Sequence, residues 1–214
     1  GAQELELDDV YYSARTNQKV LALTFDDGPH PTHTPRLLDI LKERNAKCTF
    51  FVVGNMARNR TSILRRIVAE GHEIANHTVK HDNLARYSNS ALRAELTAAH
   101  QMIVAATGIP PRMMRPPGGA ITKDQRKLML KEFGYPTIMW SCDPEDWKKP
   151  GVSVVTDRLI KGAKPGGILL LHDLHGPTID AVPRTLDTLI AQGYRFITMS
   201  ELIALDQRPE SSGQ

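Results

Sequence analysis

The chain has 214 residues, 41% of them apolar and 24% charged, which is enough for one sizeable domain and ordinary for a globular protein. Twenty-seven Lys and Arg against 24 Asp and Glu leave a net charge of +3, and the basic residues are scattered, which argues against nucleic acid or an anionic membrane as a partner. No apolar run approaches the roughly 20 residues of a membrane span, and two cysteines, with no CxxC spacing, argue against a disulfide framework or a cysteine-built zinc site.

In chain order, short apolar runs alternate with segments of helical period, the pattern of an α/β fold with parallel strands. Val20 to Phe25 is predicted as a strand and is followed by a helix with Leu37, Leu38, Ile40 and Leu41 on one face. A strand over Cys48 to Val53, a helix over Ser62 to Glu70 and a strand over Glu73 to Asn76 come next. A long helix runs from about Ser90 to Thr107, and Met113 to Arg115 is the fourth strand. Thr122 and Gln125 have the spacing of a capping box, opening a helix that Gly134 ends. Thr137 to Cys142, Ile168 to Leu171 and Phe196 to Thr198 complete seven strands, with helices over 153–162, 179–192 and 201–205 between and after them. A single domain over 1–214 is expected, with flexible first residues and a disordered tail from about 207. Seven strand-helix units point to a compact, incomplete βα-barrel, and an open doubly wound sheet is the alternative. Cys48 and Cys142 lie in apolar stretches and read as small buried hydrophobes. The opening Gly1-Ala2-Gln3 lacks Met and no signal peptide follows it, which leaves export open.

The chemistry-bearing residues share one position. Asp26 and Asp27 follow the first strand, His77 and His81 the third, Asp143 and Asp146 the fifth. Arg115 ends the fourth and His172 the sixth. All therefore gather at the carboxyl ends of the strands, where active sites of barrels and open α/β sheets assemble. Two adjacent carboxylates at the end of an apolar strand repel unless a cation is near, and Gly28-Pro29 turns the chain abruptly there. One aspartate with two histidines is a three-ligand set that leaves positions open for water, as in catalytic zinc sites. The second aspartate could take a proton from that water, and the residues alone do not say which aspartate does which. His172 could protonate a leaving group if a carboxylate from Asp143 to Trp147 orients it. Trp147 is either core or a platform for a sugar ring, and His30, His33 and His175 read as surface residues.

Taken together, these segments resemble the polysaccharide deacetylases of carbohydrate esterase family 4, the NodB-homology domain. Thr24-Phe25-Asp26-Asp27-Gly28-Pro29 is similar to the family's first motif and His77-Thr78-x-x-His81 to its second. Arg115-Pro116-Pro117-x-Gly119, Asp143-x-x-Asp146-Trp147 and Leu169-x-x-His172 are similar to the third, fourth and fifth. The resemblance implies a distorted (β/α) barrel with about seven parallel strands. It implies Asp26 as general base, Asp27, His77 and His81 as metal ligands, and Arg115 as the group that orients Asp26. His172 is then the general acid, its charge state set by Asp146, with Trp147 and Leu169 as walls around the acetyl methyl. Where the family commonly has Tyr, this chain has Gly118, which keeps the backbone N–H of the oxyanion site and opens the cleft.

The implied reaction is metal-dependent hydrolysis of N-acetyl groups from an N-acetylglucosamine polymer or oligomer, of chitin or peptidoglycan type. Imidazole and carboxylate ligands suit Zn2+, and Co2+ or Ni2+ also. An O-acetyl esterase and a lapsed carbohydrate-binding domain are the rival readings. A polymeric substrate implies an extracellular or envelope location, and a monomer is expected.

Overall fold

The structure is a computed structural model and describes residues 9–207. The expectations of flexible first residues and a disordered tail fall almost wholly on residues outside that range. Gln207 itself is anchored, its N–H donating to the Arg15 carbonyl at 2.8 Å.

The middle of the molecule is strand β2 (Val20–Asp26), buried along its whole length. It pairs in parallel with β3 (Thr49–Val52) on one side and β6 (Gly167–His172) on the other, and β3 pairs with β4 (Glu73–Asn76). Beyond β4 the ladder continues through single residues. Met114 bridges Asn76 and Thr137 of β5 (Thr137–Ile138), and Cys142 bridges Leu169 of β6. These parallel pairings close a ring, so the fold is the distorted barrel and not the open sheet. A two-residue strand β1 (Val10–Tyr11) adds to β5, and β7 (Arg195–Phe196) pairs with the start of β2.

The runs expected as the fourth and fifth strands, 113–115 and 137–142, form only a single bridge at Met114 and the two-residue β5. Pro116-Pro117 and Pro136 flank them, and proline cannot donate to a ladder. Both Ser141 and Cys142 donate to the Ile168 carbonyl, so two residues oppose one and the strand bulges out of register.

Alternation along the strands divides the core in two. Leu21, Leu23, Phe25, Phe50, Val52, Leu169 and Leu171 face the outer helices. Val20, Ala22, Phe51, Ala75, Ile138 and Ile168 fill the barrel. The helices are α1 (His33–Glu43), the short α2 (Gly54–Ala57), α3 (Thr61–Ala69), α4 (Asn89–Thr107), α5 (Lys123–Phe133), α6 (Val152–Gly162), α7 (Gly176–Ala191) and α8 (Met199–Ala204).

Two helix starts lie earlier than the sequence suggested. Pro177 sits in the first turn of α7, where its missing N–H costs nothing. The Thr198/Glu201 pair makes a capping box that opens α8 and takes Thr198 out of the seventh strand. The capping box of α5 at Thr122 and Gln125 is present as expected. Cys48 is buried in the core, whereas Cys142 is only partly covered.

Candidate metal centre and catalytic cleft

The barrel's carboxyl-end mouth is a cleft of about 340 Å3 lined by residues from every motif segment, among them Asp26, Asp27, His77, His81, Gly118, Trp147 and His172. Asp26 is the last residue of β2, and the strand's alternation turns its side chain into the barrel. There it meets Arg115, whose side chain is completely buried. One Arg115 Nη donates to Asp26 Oδ1 at 2.7 Å and to Thr24 Oγ1 at 2.8 Å. The other Nη and Nε donate to the Met139 and Ile138 carbonyls, and the guanidinium stacks 4.2 Å from the Phe51 ring centre. A buried charge is tolerated when paired and hydrogen-bonded, so Arg115 and Asp26 hold each other in one geometry.

Asp27 points elsewhere. Its φ is +81°, in the left-handed region that aspartate visits more readily than most residues, and the change of hand directs its carboxylate away from Arg115. Asp27 Oδ1 lies 3.1 Å from Nε2 of His77 and 3.1 Å from Nε2 of His81. Burial would raise this carboxyl, but the His77 and His81 contacts outweigh it and hold it well below the usual carboxylate range. The contact with Asp27 in turn raises His81, against the effect of burial.

His77 carries the test for a metal. Its Nδ1 is 2.6 Å from the Arg115 carbonyl oxygen, which can only accept, so Nδ1 bears the proton. A neutral imidazole of that tautomer turns the lone pair of Nε2 toward Asp27. Nε2 and Asp27 Oδ1, 3.1 Å apart, are then placed to share a cation. The three ligand atoms lie within 4.8 Å of one another, and bonds of about 2.0 Å in a tetrahedral site give edges of about 3.3 Å. The set therefore fits a zinc-like divalent ion, with the Arg115 carbonyl orienting the His77 ring.

The loop from His77 to His81 is itself built to hold its ligands. Thr78 and His81 have φ of +69° and +60°, conformations of roughly 1–3 kcal/mol in strain that surrounding contacts must maintain. Those contacts are present. The Asn76 side chain accepts the Thr78 N–H, the Thr78 hydroxyl accepts the His81 N–H, and Oε1 of the buried Glu95 accepts the N–H groups of Val79 and Lys80 at 2.9 and 2.7 Å. Sequence reasoning missed Glu95. Its signal was a carboxylate on the buried stripe of α4, between Leu92, Leu96 and Ala99.

Across the cleft, His172 ends β6. Its Nδ1 is 2.8 Å from Asp146 Oδ1, and Asp146 Oδ2 accepts both the His172 backbone N–H and the Thr178 hydroxyl. Burial alone would lower this imidazole, but the bond to Asp146 and the nearby carboxylates push it up to about 9. His172 therefore holds a proton through neutral pH, with Nε2–H free to face the cleft. Asp143, the other candidate for orienting His172, instead accepts the Glu145 N–H in a local turn.

Two further expectations change, at Leu169 and at the loop histidines, and the open choice at Trp147 is decided. Leu169 is packed in the outer core, and Leu170 lines the cleft. Strand period decides this, because His172 and Leu170 share a face and Leu169 takes the opposite one. His175 lines the cleft, and His30 and His33, stacked 4.1 Å apart, are partly buried. Trp147 is 51% exposed with Lys148 over its ring, a surface platform and not core. Gly118 has φ +63°, and a Cβ there would meet no atom within 4 Å, so the space beside this residue is open.

Comparison with known proteins gives a consistent picture. Residues 13–138 match the family model described as polysaccharide deacetylase. The chain is 39% identical over 199 residues to a peptidoglycan-N-acetylglucosamine deacetylase of Bacillus cereus, covering 91% of this chain and 92% of that one. It is 39% identical over 189 residues to peptidoglycan-N-acetylglucosamine deacetylase PgdA of Listeria monocytogenes, covering 88% of this chain but only 40% of the Listeria protein. Among solved structures, the Bc1960 peptidoglycan N-acetylglucosamine deacetylase in complex with 4-naphthalen-1-yl-N-oxidanyl-benzamide superposes with a TM-score of 0.90 at 32% identity. That match covers 97% of this chain and 99% of the other.

Proposed function

Because this chain belongs to the polysaccharide deacetylase family, we propose that it hydrolyses the N-acetyl group of N-acetylglucosamine units in peptidoglycan or chitin-type chains, releasing acetate. Asp27, His77 and His81 hold a divalent metal, Zn2+ by ligand type and Co2+ or Ni2+ as substitutes. The chemistry such a metal supplies is polarisation of the acetyl carbonyl and a lower pKa for water. Asp26, fixed by Arg115, is the general base that takes the proton from the attacking water. The Gly118 N–H is a donor to the developing oxyanion, a contribution of roughly 2.7–4 kcal/mol where such donors have been removed. His172 hands its proton to the departing amine, and Asp146 keeps that proton in place. Trp147 and Leu170 flank the acetyl group and the sugar ring.

The observation that carries this reading is the pairing of two opposite devices in one cleft. One is a histidine whose Nδ1 is committed to the Arg115 carbonyl, which leaves Nε2 beside the Asp27 carboxylate. The other is a histidine whose Nδ1 is bonded to Asp146 at 2.8 Å, which with the nearby carboxylates pushes its pKa up to about 9. An amine leaves poorly without a proton, so the second device favours amide over ester substrates. A cell-envelope or extracellular site of action follows from the proposed substrate. Among the described residues no helix is long and apolar enough to cross a membrane.

The test is acetate release from N-acetylglucosamine oligomers and from peptidoglycan, using protein stripped with chelator and then resupplied with Zn2+ or Co2+. Release that requires the metal supports the proposal. No release from amide substrates with either metal, alongside release from O-acetylated xylan, would replace it with an esterase.

A further inference from the structure

Gly28 follows the two aspartates, and its backbone does not require glycine, since its φ is not positive. A neighbour does. A Cβ at Gly28 would stand 2.7 Å from the Asp173 carboxylate carbon and closer still to both carboxylate oxygens. Asp173, the residue after His172, has no solvent exposure. Its Oδ2 accepts the Thr34 hydroxyl at 2.6 Å, and Thr34 Oγ1 accepts the His30 N–H at 2.8 Å. Its Oδ1 has no hydrogen-bond partner among the described residues. Burial pushes this carboxyl up to about 7. A buried, half-satisfied acid is destabilising by itself, and neither the metal set nor the acid-base pair uses it.

We propose that Asp173 is a positioning residue for the metal centre: its carboxyl, packed on the bare backbone of Gly28 and braced by Thr34, fixes the turn that aims Asp27 at His77 and His81. Shape carries the role, because the contact is steric and only one oxygen is bonded. Asparagine, which has the same outline and can still accept the Thr34 hydroxyl, should therefore serve. The proposal also explains why glycine stands at 28: alanine there would push the turn off Asp173.

The inference rests on the metal reading of Asp27, His77 and His81, and one titration separates the two. Chelator-stripped protein is titrated with Co2+, following its visible absorption, with circular dichroism to check folding. Asp173→Ala and Gly28→Ala should each weaken Co2+ binding roughly 10–100-fold, the range of lost outer-sphere support, and alter the absorption band. Asp173→Asn should stay within about threefold of wild type. The double variant Gly28→Ala/Asp173→Ala should bind more tightly than Gly28→Ala alone, because the obstacle to the new methyl is gone. Should Asp173→Ala not fold, Asp173→Ser replaces it in both roles. Wild-type affinity in folded Gly28→Ala or in the truncated Asp173 variant would overturn the proposal, as would a double variant no better than Gly28→Ala. If wild-type protein itself binds no Co2+, the metal reading fails instead.

Discussion

Two regions of the cleft use the same pair of residue types to opposite ends. At one, Asp27 lies 3.1 Å from His77 Nε2; at the other, Asp146 lies 2.8 Å from His172 Nδ1. What differs is the destination of the remaining ring nitrogen. His77 has its Nδ1 proton committed to the Arg115 carbonyl, so Nε2 is the nitrogen left to share a cation with Asp27. In His172 the Asp146 bond takes Nδ1–H, so the second nitrogen is free to carry a proton into the cleft. Asp146 accepts from three donors of His172 and Thr178, as suits a carboxylate with an orienting task. An Asp–His contact thus says little until the partner of the other nitrogen is known.

Breaking the base beside the metal end should have the largest effect on turnover. Asp26→Asn keeps the shape and some of the Arg115 contact but cannot accept a proton as a base, so acetate release should fall by about 10²–10⁴ while bound metal is retained. Near wild-type turnover would remove Asp26 from the role of base.

At the acid end, His172→Gln should cost a similar factor on N-acetyl substrates and distinctly less on O-acetyl esters, whose alkoxide leaves more readily than an amine. The same residue makes a pH statement about the metal-stripped fold. Its pKa rises from the ordinary 6.5 to about 9 on folding. The resulting stabilisation is fully present below about pH 6.5 and is lost as pH rises through 9. Thermal midpoints of stripped protein should decline across that window, and Asp146→Asn should flatten the decline. An equal slope in both proteins would detach His172 from Asp146.

Support of the metal loop is a smaller lever. Glu95→Ala leaves the Val79 and Lys80 N–H groups without their acceptor, which should weaken metal binding roughly 10–100-fold. Glu95→Gln keeps an acceptor oxygen and should restore most of the affinity; failure of Gln to do so would mean that the negative charge matters. Smallest in its effect on turnover is the leucine pair. Leu169→Ala should lower stability by about 2–5 kcal/mol as a core truncation with KM little changed. Leu170→Ala should alter KM with a lesser stability cost, and the reverse outcome would restore Leu169 as the cleft wall.

Much of this site was legible because its residues sit at strand ends, where a short apolar run followed by an ionisable group marks the barrel mouth. The division between Asp26 and Asp27 was not, since it depends on one left-handed φ at Asp27 and on Arg115 arriving from 89 residues away. Closure of the barrel was also hidden. It runs through single bridges at Met114 and Cys142, too short to leave an alternating pattern. Leu170 and Glu95 were within reach of ordinary periodicity, the first by counting two back from His172 along a strand, the second by its place on the apolar stripe of α4. His175 lay in a loop with no period to read, and only the fold brings it to the cleft.

The contrast between the two Asp–His ends is tested most directly by metal content. Wild type, Asp27→Ala, Asp26→Asn and Asp146→Asn would be loaded with Zn2+, desalted and measured for zinc per chain by elemental analysis. One zinc per chain is expected in wild type, Asp26→Asn and Asp146→Asn, and none in Asp27→Ala. Zinc retained in Asp27→Ala, or lost from Asp146→Asn with the fold intact, would contradict the division of the cleft into a metal end and an acid end.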